Sequence, residues 1–170
     1  MIIEQILSIF LSGVTILTSL GILTDKDVKL FEQVLGTSIS SEEYFIVSRV
    51  IDGDTIELNN GQKVRYIGID TPEINQNECF AYESTQKNVE LVLNKEVRLE
   101  KDTSETDKYG RLLRYVWIDN LLVNQILVEE GFALSASYPP DVKYQDIFRN
   151  QERYARQQKL GLWSKCSNSK

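Results

Sequence analysis

The sequence predicts an α+β fold: a five-stranded β-barrel of Greek-key type with about three α-helices, preceded by a hydrophobic helix. Three observations carry this reading. Five short segments alternate in polarity or are rich in β-branched residues, and turn signals bound them. Other segments repeat apolar residues at three- and four-residue spacing. The 170 residues are 42% hydrophobic and 26% charged, ordinary for a soluble domain, so one packed core is expected rather than general disorder.

Met1 to Leu23 comes first. No charged residue stands between Glu4 and Asp25, and a stretch of about 20 apolar residues is the length that crosses a bilayer. No Lys or Arg precedes it and no clear A-x-A follows, so residues 1–23 read as a signal anchor or a poor signal peptide. Residues 24–43 read as a short amphipathic helix and a linker. Thr24 caps the helix, Val28, Phe31, Val34 and Leu35 form its stripe, and Gly36 ends it before a Ser-rich run.

The folded domain is expected over 44–166, with a tail at 167–170. Tyr44–Ile51 and Thr55–Leu58 read as strands around the Asp52-Gly53-Asp54 turn. Asn59-Asn60-Gly61 signals a hairpin into a third strand, Lys63–Ile69. Pro72 stops that strand, because it has no N–H to donate. The strand would be a stiff element delivering Arg65, Asp70 and Glu73 towards one end. Ala81 to about Leu93 reads as a helix with Thr85, Val89, Val92 and Leu93 on one face. Glu96–Glu100 and Leu112–Ile118 are two more strands, and Val123–Glu130 is a short helix ended by Gly131. A last helix starts from Asp141, with a stripe of Tyr144, Ile147, Phe148, Gln151, Tyr154, Ala155 and Gln158. Five short strands with helices inserted late fit the partly open Greek-key barrel called the OB-fold.

Composition narrows the chemistry. The chain has no His, which excludes Ser-His-Asp triads and His-ligated zinc, and two Cys are too few for a zinc cluster. Formal net charge is -6. Residues 143–170 hold seven Lys/Arg against two Asp/Glu, a balance of +5, which leaves -11 for the rest. No broad basic footprint exists, so attraction for phosphate must come from particular arginines, a bound cation and the basic C-terminal segment.

Three blocks concentrate the reactive residue types: Ile51-Asp52-Gly53-Asp54-Thr55, Arg65 with Asp70-Thr71-Pro72-Glu73, and Asp107-Lys108-Tyr109-Gly110-Arg111. In this order and spacing they resemble the thermonuclease (staphylococcal-nuclease-like) family, over roughly Tyr44 to Cys166. One block alone could be an ordinary polar turn; three ordered blocks are specific. The resemblance implies the OB-fold and Ca²⁺ held by Asp54, Asp70 and the backbone carbonyl of Thr71, with Asp52 just outside. An all-oxygen set without His or Cys suits such a hard cation. It implies Glu73 as general base, and Arg65 and Arg111 as phosphate clamps at the charge of a phosphorane-like transition state. Lys108, Tyr109 and Tyr138 match substrate-binding positions, although Ser135-Ala136-Ser137-Tyr138 offers one tyrosine where a more aromatic wall is expected.

The implied activity is hydrolysis of single-stranded DNA and RNA at the 5′ P–O bond, leaving 3′-phosphates, by a monomer with no protein partner. The alternative is a non-catalytic OB-fold module that binds nucleic acid or protein, tethered to a membrane through residues 1–23. Cys79 and Cys166 each flank a block of the resemblance, one after the Glu73 loop and the other after Gly161-Leu162-Trp163. They are two unrelated thiols or, in an exported chain, a disulfide, and the disulfide is the expectation. The expected location is therefore extracytoplasmic, secreted or membrane-anchored. Lys26 and Lys29 after the apolar run point the opposite way by the positive-inside rule.

Overall fold

The computed structural model describes residues 44–166, together with Thr24 and Lys26. The expected membrane segment at 1–23, the helix and linker of 24–43 (those two residues apart) and the tail at 167–170 lie outside the described residues. The chain divides into two units, Met1–Ser41 and Glu42–Lys170, and every element below belongs to the second.

Five strands make the barrel: β1 (Tyr44–Val50), β2 (Thr55–Leu58), β3 (Lys63–Tyr66), β5 (Glu96–Glu100) and β6 (Leu112–Ile118). Antiparallel pairing runs β3-β2-β1-β5-β6, and a parallel β3–β6 pair closes the ring. Successive side chains on a strand face opposite sides. Val64 and Tyr66 therefore point into the core, joining fully buried Val47, Ile56, Val97 and Val116, while Lys63 and Arg65 face outwards. This alternation puts the expected site arginine on the outer face of a rigid wall.

The third strand differs from the expected Lys63–Ile69. It stops at Tyr66, the chain turns at Ile67-Gly68, and Ile69–Asp70 forms a separate short strand, β4. Gly68 has φ +79°, and a Cβ there would lie 2.6 Å from the Phe148 ring, so only glycine fits this turn. β4 then pairs with β8 (Leu134–Ser135) instead of the barrel. Asp70 is thus placed by a segment 64 residues downstream, a contact that strand periodicity does not reveal.

Between β4 and β5 runs helix α1 (Ala81–Val92). It buries Ala81, Ser84, Thr85, Asn88 and Val92, a face more polar than expected, while Val89 is half-buried. Helix α2 (Val123–Glu129) follows the two-residue strand β7 (Leu121–Leu122), and Gly131 at φ +76° lies just beyond it. Helix α3 begins at Gln145, four residues later than expected, and runs to Gln158. The reason is Asp141: its Oδ1 accepts the N–H groups of Thr103 and Ser104 at 3.0 and 2.7 Å, which holds residues 141–144 outside the helix. On α3 the buried residues are Gln145, Phe148 and Ala155, whereas Ile147 and Tyr154 from the expected stripe are exposed. A one-turn helix, α4 (Leu162–Lys165), completes the fold.

Cys79 and Cys166 form a disulfide, with their Cα atoms 5.8 Å apart and a sequence separation of 87. A cross-link of that span removes much chain entropy from the unfolded state, and loss of such a native bridge costs about 2–5 kcal/mol. Replacing both with serine is expected to lower the denaturant midpoint of unfolding accordingly. An unchanged midpoint would show that the bridge contributes nothing.

Candidate active site

The Asp52-Gly53-Asp54 turn between β1 and β2 lies against Thr71, just beyond β4. A Cβ on Gly53 would lie 2.6 Å from the Thr71 hydroxyl, so glycine permits this approach. Asp54 Oδ2 accepts both the Thr71 N–H at 2.9 Å and its hydroxyl at 3.1 Å. Asp54 is 3% exposed. Its other oxygen accepts the Thr55 hydroxyl at 3.2 Å and forms an ion pair with Arg65, whose Nε lies 3.1 Å away. Asp52 Oδ1 accepts the Asp54 N–H at 3.1 Å, which sets the shape of the turn.

Arg65 links this turn to β4. Its Nη2 donates to Asp70 Oδ1 at 2.9 Å. Its Nη1 donates to the carbonyls of Tyr66 and Ile69 at 2.8 and 2.9 Å, across the Gly68 turn. Three of the five guanidinium N–H groups are thereby hydrogen-bonded, and Nε is ion-paired with Asp54. Arg65 is a staple joining Asp54, Asp70 and the turn between them, which the sequence alone did not suggest.

The site is strongly acidic. Burial pushes the Asp54 carboxyl up to about 7, with Asp52 and Asp70 adding to the shift and Arg65 only partly opposing it. Asp70 is raised by burial and by Glu78 and Asp52, again against Arg65. Glu73 is raised by burial, then by Asp52 and Asp70. Five carboxylates, those of Asp52, Asp54, Asp70, Glu73 and Glu78, therefore share one guanidinium. Such an excess of oxygen donors, with Asp54 buried among them, fits a hard divalent cation, which would restore the ionised forms. Among the described residues no three or more acidic, Cys or His side chains are gathered as a ligand cluster. The candidate set is two carboxylates and one backbone carbonyl.

Arg111 stands on the loop that enters β6. Its Nε donates to Asp107 Oδ2 at 2.6 Å, and Asp107 Oδ1 accepts the N–H groups of Tyr109 and Arg111 at 2.9 and 3.0 Å. Burial lifts the Asp107 carboxyl, but these bonds outweigh it and hold the group below its usual range. Both Nη groups of Arg111 remain without a hydrogen bond among the described residues. In the β3–β6 register Arg65 lies opposite Leu113, and Arg111 comes two residues earlier on that strand line. The loop that holds Arg111 therefore ends beside the part of β3 that holds Arg65. Tyr109 is 72% exposed, with Lys108 Nζ 5.0 Å and the Arg111 guanidinium 5.5 Å from its ring centre. Tyr138 is exposed beyond β8 and bridges to Asp141; no bond joins it to Asp54, Arg65 or Asp70 among the described residues.

Two supporting residues escaped the sequence reading. Asn88 on α1 donates to the Asp52 carbonyl at 3.0 Å and accepts from the Tyr66 hydroxyl at 2.9 Å, fixing the acidic turn against the barrel. Glu78 Oε2 accepts the Glu73 N–H at 2.8 Å, which holds the loop that carries the expected base. An asparagine amid the helical stripe was the one available signal, because a buried amide needs partners.

Known proteins are similar to this chain over most of its length. The family described as staphylococcal nuclease homologue matches residues 63–165. Endonuclease YncB of Bacillus subtilis (strain 168) is 42% identical over 147 residues, covering 79% of this chain and 70% of that protein. The thermonucleases of Staphylococcus hyicus and Staphylococcus intermedius are each 38% identical over 136 residues, covering 76% of this chain and 80% of theirs.

Proposed function

Because this chain belongs to the staphylococcal nuclease family, we propose that it is a Ca²⁺-dependent phosphodiesterase that hydrolyses single-stranded DNA and RNA to 3′-phosphate products. The observation that carries the reading is the stapled acidic site, in which Arg65 bonds both Asp54 and Asp70 beside Glu73. Asp54, Asp70 and the Thr71 carbonyl would hold the cation, with Asp52 shaping the turn behind them. When bound, Ca²⁺ supplies charge neutralisation at the phosphate and to the surrounding carboxylates.

The protein's own groups do the rest. Arg111, with both Nη groups unengaged, takes the oxygens of the phosphate, and Arg65 offers its remaining N–H beside it. These donors stabilise the charge that grows as water adds to phosphorus. Glu73 accepts the proton of that water. In the cation-free protein, burial and the Asp52 and Asp70 charges raise its affinity for protons. The new bond joins the water oxygen to phosphorus, and the 5′ P–O bond breaks with its electron pair on the 5′ oxygen, which takes a proton from solvent to leave as a hydroxyl.

The disulfide supports an extracytoplasmic location, since such bridges persist in oxidising compartments. The test of function is cleavage of single-stranded DNA and RNA with Ca²⁺ and with excess chelator. Cleavage is expected with the cation and loss of at least about 10² in rate without it. Full activity in chelator would overturn the cation assignment, and no cleavage in either would overturn the enzyme reading.

A further inference from the structure

A cleft of about 330 Å³ lies between the β2–β3 turn and the loop that enters β6; Gly61, Gln62, Lys63, Tyr109, Gly110 and Arg111 are among its lining residues. That volume is at the lower end for ligand sites, about 300–1,000 Å³, which is room for roughly one nucleotide. The lining carries two cations, Lys63 and Arg111, and no carboxylate, in a chain of net charge -6. Lys63 lies opposite Glu57 in the sheet, yet Glu57 is bonded to Arg49 at 2.7 Å instead. The Lys63 ammonium has no ion pair among the described residues. Lys63 and Arg65 share the outer face of β3, two residues or about 7 Å apart, on the order of the step between consecutive phosphates.

We infer that this cleft is a second phosphate subsite, in which Lys63 takes the phosphate next to the scissile one on a single-stranded chain while Arg111 serves both positions. The inference rests on the phosphodiesterase reading and adds to it a preference for chains over dinucleotides. Tyr109, exposed at the rim, offers its ring to the intervening base.

The test compares a ten-residue oligothymidylate with thymidylyl-thymidine, whose one phosphate is the scissile one, in Ca²⁺ over a salt series. Lys63→Gln is expected to raise KM for the ten-mer about two- to fivefold, as for an exposed ion pair. The slope of log KM against log salt should become shallower by about 0.7, the value of one single-strand phosphate. The effect on the dinucleotide should be smaller, and Lys63→Arg should restore the ten-mer values. A wild-type KM and slope in Lys63→Gln would overturn the subsite, as would equal effects on both substrates. If the unmodified protein cleaves neither substrate, the phosphodiesterase reading falls and the subsite with it. If it cleaves both and Lys63→Gln is indistinguishable, only the subsite falls.

Discussion

Asp54→Asn is expected to abolish cation-dependent cleavage, a loss beyond the roughly 10²–10³ typical of one missing electrostatic group. The amide removes the buried charge that would bind the cation. It also turns a donor towards either the Arg65 guanidinium, which loses its ion pair, or the Thr71 N–H, which needs an acceptor. The same variant should alter stability against pH. The folded carboxyl has an affinity near 7 against 3.8 for an unperturbed aspartate. Between these values the folded state binds more protons than the unfolded state, so the cation-free protein loses stability as pH rises from about 4 to about 7. Asp54→Asn should flatten that loss without removing it, because Asp70 and Glu73 are shifted in the same direction. Thermal melts across this range, without cation, provide the check. An equally steep decline in the variant would mean that Asp54 is not the group responsible.

Lysine at either arginine should lower turnover by about 10²–10³, since an ammonium keeps the charge but not the planar fork. The two variants should differ in stability. Arg65 is 14% exposed at its side chain and joins Asp54, Asp70 and two carbonyls. Arg65→Lys therefore should cost about 2 kcal/mol of folding free energy as well as rate, the scale of hydrogen bonds to charged groups. Arg111 is held by Asp107 on a more open loop, so Arg111→Lys should fall mainly on rate. Parallel urea unfolding and initial-rate measurements separate these effects. Turnover within a few-fold of the unmodified protein in both variants would remove phosphate clamping from the mechanism.

The strands β2, β5 and β6 begin and end where the sequence pattern places them, because each is short, alternating and bounded by turn residues. The acidic turn, Arg65 and the Asp107–Arg111 loop were legible for a related reason: each site block is local, and its residue types suit one chemistry. Cys79 and Cys166 were legible as a candidate pair, and the fold brings them together. Tertiary structure decided the rest. β3 ends at Tyr66 because Gly68 turns against Phe148, and Asp70 is fixed by β8, far along the chain. Asn88 and Glu78 matter through single hydrogen bonds to backbone groups that no periodicity marks. α3 starts late because Asp141 is bound to a loop 37 residues earlier. Patterns along a chain report which face of an element is buried. They do not report which distant backbone group a buried polar side chain must satisfy, and that requirement positions Asp70, Asp52 and Glu73 in the site.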